Sequence, residues 1–94
     1  MPCYRVRWPN GEVEIVFAED DADLFETLDE EGSPYDAIIE EVELPNGLRI
    51  SEKNWKKTMV EILTEAKVIR ELTKEDLDIA FDRLYGGNPV LTIQ

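Results

Sequence analysis

The chain contains no histidine and a single cysteine, Cys3. The first absence excludes histidine-based triads, imidazole acid–base chemistry and histidine metal ligands. The second excludes an intramolecular disulfide and a thiolate zinc cluster. Small secreted domains usually depend on disulfide staples, so one cysteine points to a reducing, cytoplasmic compartment. No apolar run approaches the roughly 20 residues of a membrane span. The alternating start, Met1-Pro2-Cys3-Tyr4-Arg5-Val6-Arg7-Trp8, is not the pattern of a signal peptide. Positive charge is also scarce: ten Lys and Arg stand against twenty-two Asp and Glu, for a net charge of −12. That sign argues against direct binding of DNA or RNA phosphates and against an anionic membrane surface.

What is present is 94 residues, 43% of them hydrophobic, with five Gly and five Pro. This is the composition of one small globular domain spanning 1–94. The first local signal is Asn10-Gly11, the preferred centre of a two-residue type I′ turn. Counting outward pairs Trp8 with Val13, Val6 with Ile15 and Tyr4 with Phe17 on an inward face, with Arg5 and Arg7 on the solvent side. A helix is predicted over about 20–31, with Asp20 or Asp21 as N-cap, Leu24, Phe25 and Leu28 as its apolar stripe, and Gly32-Ser33-Pro34 as its stop.

Two readings compete over residues 35–44. Ser33-Pro34-Tyr35-Asp36 has the chemistry of a helix start. Ile38, Val42 and Leu44 instead share a strand face, and Pro45-Asn46-Gly47 repeats the tripeptide of the first turn. Closing that repeat with a three-residue loop keeps the faces consistent, so a second hairpin is predicted, 36–44 with 47–51. Ser51 then reads as the cap of a long helix, about 52–71. Trp55, Met59, Ile62, Leu63, Ala66 and Ile69 recur along it at three- and four-residue spacing, and Glu52 stands four residues ahead of Lys56. Thr73-Lys74-Glu75-Asp76 resembles a capping box and opens a third helix, about 74–85, that Gly86-Gly87 ends. The tail Val90-Leu91-Thr92-Ile93 has strand propensity. The expected fold class is α+β: two β-hairpins forming a mostly antiparallel four-stranded sheet, with the three helices packed mainly on one face.

The charge is unevenly spread. Gly11 to Glu43 holds fourteen acidic residues and no Lys or Arg, whereas Arg49 to Lys74 holds seven basic residues and four acidic ones. Asymmetry of this kind bears on partners and association. Glu19, Asp20, Asp21 and Asp23 lack the spacing of a calcium loop and read as charge complementing a helix N-terminus. No carboxylate pair stands out as an acid–base couple, and Ser33, Ser51 and Cys3 have no base at hand. Trp8 and Trp55 read as core residues, and Lys53, Lys56 and Lys57 as a solvated basic cluster.

The expectation is therefore a non-enzymatic domain with no cofactor and no metal. It binds another protein, a basic or nucleic-acid-binding one included, through an acidic surface. The expected contact residues are Glu12, Glu14, Asp20, Asp21, Asp23, Glu26, Asp29, Glu30, Glu40, Glu41 and Glu43. The alternative is a nucleic-acid mimic, an inhibitor of a DNA- or RNA-binding protein that presents carboxylates in place of phosphates. Self-association, with the acidic half of one chain meeting the basic segment of another, is a third reading.

Overall fold

The structure is a computed structural model, in which residues 1–45 and 48–86 are described. Among these residues, four strands and three helices follow one another: β1 (Cys3–Arg7), β2 (Val13–Phe17), α1 (Asp21–Asp29), β3 (Ile38–Glu43), α2 (Trp55–Thr64), β4 (Lys67–Glu71) and α3 (Lys74–Tyr85). The strands form one antiparallel sheet in the order β2-β1-β3-β4. The fold is α+β. The expectations for the Asn46-Gly47 turn and for a strand at 90–93 lie outside the described residues.

The first hairpin forms, but one residue wider than the two-residue turn predicts. Tyr4 faces Val16, Arg5 faces Ile15 and Val6 faces Glu14. Pro9 decides this. A two-residue turn at Asn10-Gly11 would need the N–H of residue 9 to close the ladder, and proline has none. The chain uses Pro9 as the first turn residue and Gly11 at φ 91° as the last. The Trp8 N–H donates to the Glu12 carbonyl at 2.8 Å, and the Gly11 N–H to the Trp8 carbonyl at 2.9 Å. A one-residue slip exchanges the faces of a strand. Tyr4 and Val6 remain buried, but Ile15 now shares a face with Cys3 and Arg5, and Val13 and Phe17 are exposed.

That register gives the sheet two apolar faces. Tyr4, Val6 and Ile39 pack with Leu24, Phe25 and Leu28 of α1 and Leu77 and Ala80 of α3. On the opposite face Cys3 and Val42 pack with Ile62 of α2, joined by Ile15, Leu44, Met59 and Ala66. Two helices thus lie on one face and the third on the other. Arg5 points into this second layer and is 5% exposed, which overturns its placement on the solvent side.

The second hairpin is replaced by non-local pairing. β3 runs antiparallel to β1 on one side and to β4 on the other, while residues 48–51 are not strand. Of the two readings of 35–44 the strand prevails: the helix-start chemistry of Ser33-Pro34-Tyr35-Asp36 yields only a single 3-10 turn, Pro34–Asp36, and the strand begins two residues later. The long helix is also shorter than its periodicity predicts. It starts at Trp55 behind Asn54, whose side chain accepts from the Ser51 N–H at 2.8 Å, so Ser51 is not the cap and Glu52 lies outside the helix. It ends at Thr64, where the Arg5 Nη1 donates to the carbonyls of Ile62 and Leu63 at 3.4 and 3.2 Å. The spacing of Ala66 and Ile69 continues the helical stripe, but Val68 and Ile69 are β-branched and suit a strand equally well. The ladder with β3 takes them, with one extra residue between the Glu41–Arg70 and Val42–Val68 pairs. Trp55, read as core, is 48% exposed, and Ile38, Ile50 and Phe81 also lie at the surface.

The remaining helix ends follow their local signals. The Asp20 side chain accepts from the Asp23 N–H at 2.8 Å and caps α1. Thr73 and Asp76 form a reciprocal capping box on α3, and Gly86 ends it in the left-handed conformation at φ 76°.

Candidate acidic binding surface

The eleven carboxylates expected at a binding surface divide into those the fold uses and those it leaves to solvent. Glu40 accepts from Arg5 Nε at 3.0 Å, forms an ion pair with Arg5 Nη2 at 3.0 Å and lies 3.7 Å from Arg7 Nη2. Glu41 accepts from Arg70 Nε at 3.0 Å. Asp21 accepts from Arg70 Nη2 at 2.6 Å and from the Tyr4 hydroxyl at 3.0 Å. Burial, followed by this bond and the Asp21 charge, pushes the Tyr4 hydroxyl pKa up. Asp20 caps α1 and stands 3.7 Å from Arg83, Asp23 accepts the Glu19 N–H at 2.9 Å, and Asp29 accepts from the Tyr85 hydroxyl at 3.0 Å. These six are structural acids. Arg70 ties three elements together, reaching Asp21 at the start of α1, Glu41 on β3 and, at 3.7 Å, Asp76 in the first turn of α3.

Glu12, Glu14, Glu26, Glu30 and Glu43 have no salt-bridge partner among the described residues. Two of them converge with a third acid that the sequence reading did not single out. Glu12 and Glu31 line a shallow cleft with Trp8, Pro9 and Asn10. Glu14, next along β2, is in contact with Glu31. Burial first, then the hydrogen bond and charge of Glu31, raise the Glu14 carboxyl pKa, against a hydrogen bond with Trp8 that lowers it. One Glu14 oxygen, Oε1, is buried with no hydrogen-bond partner. The half-buried Trp8 ring lies over Gly32, where a Cβ would stand 3.3 Å from the indole. The hairpin tip and the end of α1 therefore meet through an indole and three carboxylates. Gly32 was the only sequence signal for this contact, and it read equally well as a helix stop.

The chain matches no protein-family model, no curated protein and no solved structure. Its chemistry has to be read from its own residues. Among the described residues, no group of three or more Asp, Glu or Cys side chains is placed to hold a metal ion, and no helix is long and apolar enough to cross a membrane. Of the nucleophile candidates, Cys3 is buried at 2% exposure and its thiol is pushed up to about 11 by that burial. The Ser51 hydroxyl donates to Asn54 Oδ1 at 3.0 Å, in a turn that leads into α2. Lys53, Lys56 and Lys57 are exposed, as a solvated cluster should be, and the Lys56 ammonium lies 5.6 Å from the centroid of the exposed Trp55 ring.

Proposed function

We propose that the protein is a small non-enzymatic interaction module that receives a cationic segment of a partner protein on its acidic surface, centred on Trp8, Glu12, Glu14 and Glu31. One observation carries this reading: three carboxylates gather round an indole with no cation within the described residues to offset them. Like charges held together raise the free energy of the ionised site, and an arriving Lys or Arg relieves that repulsion while its head group lies against the indole face. The fold satisfies its other inward acids with Arg5, Arg70 and Arg83 but leaves this cluster uncompensated. Nucleic-acid mimicry asks for an unbroken array of carboxylates. The commitment of Asp21, Glu40 and Glu41 to internal cations favours a compact site for a basic side chain over such an array.

The test uses a Trp55→Phe background, so that Trp8 is the only indole. An arginine-rich peptide is titrated at about 50 and about 300 mM salt, conditions that differ roughly twofold in screening length. The expected result is a change in Trp8 emission that weakens at the higher salt and disappears when Glu12, Glu14 and Glu31 are all replaced by Gln. A control variant with Gln at Glu52, Glu65 and Glu75 has the same net charge and should retain the response. Equal responses from the two triple variants would reduce the effect to bulk charge and overturn the proposal.

A further inference from the structure

Two helix ends carry charge of the sign that their own dipoles disfavour. Cations are stabilised at a helix C-terminus and anions at its N-terminus. α1 ends instead in Asp29, Glu30 and Glu31, with no basic residue in its last turn. α2 begins with Lys56 and Lys57, preceded by Lys53, and has no acidic residue in its first turn. The Asn54 Nδ2 donates to the Arg49 carbonyl at 3.1 Å, which keeps a fourth basic residue beside this end. Arg49, Lys53, Lys56 and Lys57 are all exposed, and none has a salt-bridge partner among the described residues. Each end also displays an indole: Trp8 over Gly32 just beyond α1, and Trp55, 48% exposed, at the start of α2. α1 and α2 lie on opposite faces of the sheet, and no salt bridge among the described residues joins their ends within one chain.

We propose that the basic start of α2 in one copy docks on the acidic end of α1 and the Trp8 cleft of a second copy. The proposal rests on the reading of that cleft as a receptor for a cationic segment, and it names the segment: residues 49–57 of this same chain. Lys53 or Lys57 supplies the cation that Glu12, Glu14 and Glu31 lack, and its head group lies against the Trp8 face. Lys56 keeps its place beside Trp55. The C-terminus of one helix then meets the N-terminus of another, so the two dipoles run head to tail. Each end receives from the other copy the charge that its own helix withholds. The exposed Trp55 is covered in the same contact. The two surfaces differ, so the interface is heterologous: a pair of copies leaves one acidic and one basic end open, and association continues unless a ring closes.

Sedimentation equilibrium of the full chain at about 150 mM salt, where the screening length is about 8 Å, tests this. The expected result for the wild type is a mass that rises reversibly with concentration. Glu12→Gln/Glu14→Gln/Glu31→Gln should stay monomeric. Its net charge moves from −12 to −9, which lessens repulsion between copies, so bulk charge alone would strengthen association instead. Lys53→Gln/Lys56→Gln/Lys57→Gln should also stay monomeric. Mixed in equal amounts, the two variants retain one intact contact and should form a 1:1 dimer that grows no further. Circular dichroism of each variant separates loss of docking from loss of fold. A monomeric wild type, a triple variant that associates like the wild type, or a mixture that stays monomeric would each overturn the proposal. A monomeric wild type whose Trp8 emission still responds to the arginine-rich peptide gives the cleft to a foreign partner, and only the second copy is ruled out. Loss of both responses removes the receptor reading as well.

Discussion

Arg5 and Glu40 are cross-strand partners on β1 and β3, and their side chains close an ion pair at 3.0 Å beneath the last turn of α2. The Arg5 side chain is 6% exposed and that of Glu40 17%. The same guanidinium also donates to the carbonyls of Ile62 and Leu63, which have no partners within a helix that ends at Thr64. One side chain therefore satisfies a buried carboxylate and ends a helix, and it draws together β1, β3 and α2.

Removing the carboxylate tests how much depends on this pair. Glu40→Ala leaves the Arg5 charge buried with only carbonyl partners. The expected loss is about 3 kcal/mol, at the lower end for breaking a buried ion pair because the carbonyl bonds survive. Urea unfolding measures it, and a loss below about 1 kcal/mol would place the pair in the surface class. Replacing both residues by apolar ones should not recover full stability, because the Ile62 and Leu63 carbonyls would then lack their donor.

Glu14 should make the protein less stable as it ionises. Its carboxyl pKa is raised above the ordinary 4.5 by burial, then by the Glu31 hydrogen bond and charge. The native state therefore holds its proton more tightly than the unfolded chain. This contribution falls as pH rises from the ordinary value through the raised one. Glu14→Gln should increase the unfolding temperature at about pH 7, with the gain shrinking as the pH approaches the ordinary value. Asp76 works in the opposite sense. Its bond from the Thr73 backbone lowers its pKa from 3.8, so its contribution is present above that value and lost as pH falls through the native one. An unfolding temperature for Glu14→Gln that is below wild type near neutrality would contradict the assignment.

Cys3 should be inert while the protein is folded. It is buried between β2 and β3 at the layer that α2 covers, and its thiol is pushed up to about 11. Only the thiolate is an effective nucleophile. Labelling by an aromatic disulfide reagent at neutral pH should follow the rate of opening rather than the reagent concentration. Labelling in direct proportion to reagent, at native conditions, would show that α2 does not seal that face.

Much of the molecule was legible from short-range signals. The Asp20 cap, the Thr73–Asp76 box and the Gly86 stop each act within one helical turn, and α1 and α3 appear where those residues predict them. The acidic character of residues 11–43 was equally plain. Its division into structural acids and an uncompensated cluster was not, because that depends on which cations the fold brings near. Arg70 comes from a segment that reads as helix, and it reaches Asp21 and Glu41 only because that segment becomes the edge strand beside β3.

The sequence by itself determined where α1 and α3 begin and end and which segments have an apolar side, since caps, glycine conformations and periodicity are local properties; it did not determine the ends of α2. Even the width of the first turn was present in it, in Pro9, whose missing N–H rules out the narrower closure. Only the tertiary structure decided which strand lies beside β1, that residues 67–71 extend rather than coil, and that Arg5 is buried. Those choices rest on backbone ladders and ion pairs between residues such as Arg5 and Glu40 or Arg70 and Asp21, far apart in the chain. Val68 and Ile69 satisfy helix and strand patterns alike, so an unpaired β3 edge, not their own preference, selected the strand.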